Sequence, residues 1–242
     1  MRISAGRLDF KELNKRVKAA PGNVEIEECY GQRFIGSGLS GKTVIINGTP
    51  GNALGAYLDG ATIIVNGNAQ DAVGDTMNDG RIIVDGSAGD ALGYAMRGGR
   101  IFVRGSAGYR TGIHMKQYQE KKPVIVVGGR VGSFLGEYLA GGLIVVLGLA
   151  GESESQSAPV GNFTGTGMHG GLLFIRTEQA LENLPAQVWA QDAKSTDLEI
   201  IVPYVNEFAE YFKMDAAEIL QGRFQVLRPN AKNPYHQLYT AN

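Results

Sequence analysis

Gly36, Gly41, Lys42 and Thr43 fit the phosphate-loop pattern G-x-x-x-x-G-K-[ST]. That pattern holds phosphate when the loop leaves a buried strand and opens a helix whose first amides face the anion. Here Val44, Ile45 and Ile46 follow at once, then Asn47-Gly48, which is a strand and a turn. The motif therefore reads as a chain corner. Cys29 is the single cysteine, so an internal disulfide or a multi-cysteine metal cluster is excluded, and it is expected to be a small half-buried apolar residue. The histidines are His114, His169 and His236. No Ser-His-Asp arrangement can be assembled from them.

What positions these residues is a repeat. The glycines that close successive apolar triplets are Gly48, Gly67, Gly86, Gly105, Gly129 and Gly148, spaced by 19, 19, 19, 24 and 19. The single long interval carries an insertion of five around Lys116 to Lys122. A fixed period of this size marks a repeat architecture. The triplets are apolar and mostly β-branched, as in Ile63-Ile64-Val65 and Ile101-Phe102-Val103. Six residues after the glycine stand Leu54, Val73, Leu92, Thr111 and Leu135, and ten after it Leu58, Met77, Met96, Met115 and Leu139. Gly165 and Met168 regain the register after a second insertion, which contains Glu152, Glu154 and several serines.

Nineteen residues are too few for a βαβ unit of about thirty. They suffice for one coil of a parallel β-solenoid, whose coils stack about 4.8 Å apart. A leucine-rich horseshoe lacks its asparagine ladder here, and propeller blades need about forty residues. The predicted fold is mainly β, a right-handed parallel β-helix with a small helical C-terminal extension. VIVVGGRVGSFLG has no dinucleotide fingerprint, since it repeats elsewhere without cofactor logic. In this register His114 and His169 stand two coils apart, roughly 10 Å, too far to share a metal unaided.

The expected organisation is an N-terminal cap over 1–30, the glycine-repeat domain over 31–176, and an extension with a terminal arm over 177–242. The cap should contain a helix at FKELNKRVKAA and a strand pair around VEIEECYGQRFIG. After Arg176 glycine becomes scarce. TDLEIIVPYVNEFAEYF predicts an amphipathic helix with Leu198, Ile201, Val205, Phe208 and Phe212 on one face, capped by Thr196 with Glu199, and kinked or restarted at Pro203. DAAEILQG predicts a short second helix, FQVL a strand, and the last residues an arm. The extension would cap the solenoid or embrace a partner.

The formal net charge of -1 points to neither nucleic acid nor a membrane surface. The first residues carry charges where a signal peptide needs an apolar run, and the most apolar stretch is broken by Arg130 and Glu137, so a cytoplasmic protein is expected. Charge is nevertheless ordered along the repeat. Six aspartates and one basic residue lie between Asp59 and Asp90; eight basic residues and Glu120 lie between Arg97 and Arg130. Such opposed fields suit protein docking. The candidate interface comprises Arg97, Arg100, Arg104, Arg110, His114, Lys116, Glu137 and His169. No catalytic, cofactor or metal residue is expected on this chain.

The segments GTPGNALGAYLDG, GDALGYAMRGG, GYRTGIHMK, GEYLAGG and GTGMHGG over residues 31–176 resemble the G-X-G-X-G β-helix family. Its best-known member is the C-terminal domain of the glutamate synthase large subunit. A more distant relative is a subunit of formylmethanofuran dehydrogenase. The resemblance implies a non-catalytic scaffold of glutamate or N-methylglutamate-type nitrogen metabolism. It implies two partners, a class II glutamine amidotransferase subunit and a subunit carrying FMN and an iron-sulfur cluster. This chain matches the β-helix alone. An enzyme or binding module with its own site on a solenoid face is the alternative.

Overall fold

The computed structural model describes residues 1–149 and 157–230. The terminal arm, His236 included, and most of the second insertion lie outside them. The elements run β1 (Arg2–Ser4), α1 (Phe10–Ala19), β2 (Val24–Tyr30), β3 (Thr43–Thr49), β4 (Asp59–Asn66), β5 (Asp79–Val84), β6 (Arg100–Val103), β7 (Val124–Val127), β8 (Ala140–Val146) and β9 (Gly170–Arg176). They continue with β10 (Val188–Asp192), α2 (Ser195–Phe212), α3 (Ala216–Gln221) and β11 (Phe224–Pro229). The strands form one sheet in the order β1 to β9, then β11, then β10. Every pairing from β1 to β9 is parallel. The sheet is thus the wall of a solenoid, with Ile63 opposite Ile82, Ile101, Ile125 and Ile144 in turn. β11 pairs with β9 antiparallel, and β10 with β11 antiparallel.

The interior is the set of columns read from the repeat. Leu54, Val73, Leu92, Leu135, Leu58, Met77, Met96, Met115 and Leu139 are all fully buried. Each such aliphatic side chain contributes roughly 1.5–3 kcal/mol on burial. Thr111 takes a leucine position and is also fully buried, its hydroxyl donating to the Gly108 carbonyl at 3.3 Å.

The wall opposite the strands is built of turns with alternating handedness. In one coil Ala53, Gly55 and Tyr57 all have φ near +60°, and the alternation recurs at Ala91, Gly93 and Ala95. A left-handed non-glycine residue costs roughly 1–2 kcal/mol. Bonds to both neighbouring coils offset that cost: Ala53 N–H donates to Asp71 O at 2.9 Å, Gly55 N–H back to Ile35 O at 2.8 Å, and Tyr57 N–H to Asp75 O at 2.8 Å. The middle residue points inward and has no room for a side chain. A Cβ on Gly55 would lie 2.6 Å from Ile82 Cδ1.

Both ends differ in part from expectation. The cap holds α1, started by Asp9, whose carboxylate accepts the Lys11 amide at 2.8 Å. Only one strand, β2, forms in VEIEECYGQRFIG; its second half makes the turns of the first coil, with Phe34 and Gly36 already left-handed. The three-residue β1 was not foreseen. α2 begins at Ser195, ahead of the Thr196/Glu199 cap. Asp197 instead accepts the Lys194 amide at 2.9 Å while bound to Arg228 at 2.6 Å, and these fix the helix start. α2 also runs through Pro203 without a restart. The proline is exposed, and the buried residues on either side, Ile201 and Val205, hold both halves to the sheet.

α2 closes a second apolar layer. The middle residue of each triplet faces outward, and Ile83, Phe102, Val126, Val145 and Phe174 are buried beneath Ile201, Val205, Phe208 and Phe212. Tyr211 packs on Phe102 with ring centroids 5.3 Å apart.

Candidate partner-docking face

Lys42 settles the phosphate-loop question. Its ammonium donates to the carbonyls of Val17 and Lys18 at 3.3 Å each and of Ala20 at 2.5 Å. These are the free acceptors at the C-terminus of α1, where a cation is favoured. The lysine therefore ties the cap to the first coil.

The basic residues divide into two groups. On the strand side, Arg100 reaches up to Glu207 of α2, and Arg81 binds the same carboxylate at 2.8 Å. Burial alone would raise the pKa of Glu207, but the two guanidinium groups outweigh it and hold this carboxyl below the ordinary range. Arg104 pairs with Asp85 at 3.0 Å. Arg110, in the left-handed turn column of Ala53 and Ala91 and not on the strand side, pairs with Glu137 at 3.2 Å and lies 4.9 Å over the ring of Phe134, which stacks on Phe163 at 4.9 Å. Lys121, on the five-residue insertion, reaches Asp59 at 3.5 Å. Arg100 thus serves the chain's own helix, and Arg97, Arg100 and Arg104 do not act as a single patch.

On the turn side, Arg97, His114, Lys116 and His169 line one groove of about 470 Å³ with Tyr94 and Tyr138. His114 stacks on Tyr138 with centroids 5.1 Å apart and meets Tyr94 edge-on at 6.0 Å. The two histidines stand two coils apart, as the register predicts, and still share this surface. Among the described residues, no group of three or more His, Cys, Asp and Glu side chains is placed to hold a metal ion. No helix among them is long and apolar enough to cross a membrane. The tyrosine wall was missed from sequence, although Tyr138 follows His114 in the same repeat column once the insertion is counted.

The repeat, its inward glycines and the solenoid agree with a comparison to known families, in which the GXGXG motif family matches residues 12–232. The chain belongs to this family. An uncharacterized protein of Methanocaldococcus jannaschii, MJ1350, is 41% identical over 249 residues, covering 98% of this chain and 95% of that protein. Among solved structures, the fold is similar to a chain of the formyltransferase/hydrolase complex FhcABCD from Methylorubrum extorquens, crystallised with methylofuran. The TM-score is 0.61 with 20% identity, covering 84% of this chain and 71% of the other. At that identity the likeness concerns the fold. The solenoid fold is thus common to this chain and a chain of that complex.

Proposed function

We propose that this chain is a non-catalytic scaffold subunit of a multi-subunit complex of the glutamate-synthase type, working in the cytoplasm. In this reading it holds a class II glutamine amidotransferase subunit in register with a subunit that carries FMN and an iron-sulfur cluster. The observation that carries a subunit role is the turn-side groove: an exposed row of aromatic rings beside a row of cations, set on a rigid stack bonded on both walls. A single surface of that kind suits docking. Family membership supports the scaffold, and the fold neighbour's place in a multi-subunit complex supports assembly with other chains.

A second reading, a β-helix subunit of a formylmethanofuran-dehydrogenase-type assembly, is favoured by that same neighbour. Affinity purification of the tagged chain from its own cells, with protein mass spectrometry and a visible spectrum, separates the two. An amidotransferase together with flavin and iron-sulfur absorbance is the expected result. Formyl-transferring companions would replace it with the second reading. A colourless chain recovered alone would overturn both.

A further inference from the structure

The groove is made of two columns, two residues apart in each coil. One is the left-handed column Ala95, His114 and Tyr138; the other is Arg97, Lys116, Ala140 and His169. Backbone bonds place the second column in register: Arg97 N–H donates to Met77 O, Lys116 N–H to Met96 O, Ala140 N–H to Met115 O and His169 N–H to Leu139 O. The groove therefore runs along the solenoid axis across four coils. At about 4.8 Å per coil its length is roughly 14 Å, which an extended chain spans in about four residues.

Among the described residues, the cations in this groove lack carboxylates. Arg100, Arg104, Arg110 and Lys121 have theirs in Glu207, Asp85, Glu137 and Asp59. Among the described residues the Arg97 guanidinium donates to the Ala95 carbonyl, at 3.2 Å, and no carboxylate pairs with it or with Lys116. Two like charges one coil apart destabilise a stack unless something neutralises them. The rings of Tyr94 and Tyr138 remain 40% and 36% exposed beside them. A small anion here would leave most of its surface in water, whereas a protein segment laid lengthwise covers both rows.

We infer that this groove receives an acidic, extended segment of a partner subunit. About four residues would lie along the axis, with carboxylates on Arg97 and Lys116 and an apolar or aromatic side chain against Tyr94, His114 and Tyr138. The inference rests on the subunit reading above and names the chemistry of the partner's contact.

The test uses the complex captured with the tagged chain. Zero-length carbodiimide coupling joins an ammonium to a carboxylate in direct contact, so mass mapping should find Lys116 bonded to an Asp or Glu of one companion. The double variant Arg97→Glu/Lys116→Glu should keep its β circular-dichroism spectrum and retain that companion at least tenfold more weakly, while Lys15→Glu on α1 retains it normally. A complex that cross-links elsewhere but never at Lys116, or one indifferent to the double reversal, overturns the groove assignment and leaves the subunit reading standing. Thermal stabilisation of the wild type, but not the double variant, by millimolar citrate or phosphate would make the groove a small-anion site instead. A chain captured alone overturns the subunit reading and this inference with it.

Discussion

Arg81 and Glu207 lie 126 residues apart in the chain and form an ion pair of 2.8 Å that fastens α2 to the strand stack. Arg100 completes the clamp from the next strand, and Tyr211 donates its hydroxyl to the same carboxylate at 3.3 Å. The Glu207 side chain is only 16% exposed, while the two arginines are about half in solvent.

Replacing Glu207 with Gln should therefore weaken α2 packing by about 1–2 kcal/mol, the usual worth of hydrogen bonds to charged groups less solvent screening. Urea unfolding with and without the substitution measures it. The sign with pH is fixed. A carboxyl whose folded pKa is depressed stabilises the fold above its ordinary value of 4.5 and loses that contribution as pH falls through the lower folded value. The difference between wild type and variant should be full at neutral pH and vanish in acid. An equal difference at all pH values would refute the clamp.

The two kinds of left-handed position should respond unequally. Gly55→Ala places a Cβ against Ile82 and Ile63 at positive φ, and should cost about 2–3 kcal/mol. Ala91→Gly relaxes an outward position of the same handedness at the expense of a floppier unfolded chain, so it should change stability by less than about 1 kcal/mol. Thermal melts of the pair decide the matter, and equal losses would count against the inward glycine column.

Lys42→Met should lower stability by about 1 kcal/mol by uncapping α1. Isothermal titration with ATP should register no binding to the wild type. Saturable ATP binding lost in the variant would reinstate the phosphate loop.

Cys29 is fully buried, with its thiol donating to Gln32 Oε1 at 3.5 Å, and burial pushes its pKa up to about 11. The folded chain should react with a thiol reagent at neutral pH at least a hundredfold more slowly than the urea-unfolded chain. Because the folded state holds this proton more tightly, its contribution is complete below the ordinary value of 9.0 and declines as pH rises through about 11. Rapid native labelling would place the thiol at the surface.

The period carried most of the fold because each coil must bury the same columns. The positions of Met77, Met96 and Met115 followed from counting alone. Local signals were weaker where a neighbour decides. Ala53 and Ala91 are left-handed because bonds to adjacent coils demand it, which no alanine announces. β10 is five residues long, has no clean alternation and exists through its pairing with β11. The docking candidates were found as a charge run, yet sequence could not say that Arg100 serves Glu207, a residue 107 positions away, or that Arg97 and Lys116 are left over.

A parallel stack is in effect a one-dimensional crystal, and its end face accepts any further coil of matching period. At β9 the next strand, β11, runs the other way, and β10 reverses again. The place of the next coil's strand on β9 is thus taken by β11, which belongs to the C-terminal extension and carries no 19-residue repeat. The run of coils therefore ends at β9, and its length in coils becomes a fixed ruler for whatever lies alongside it.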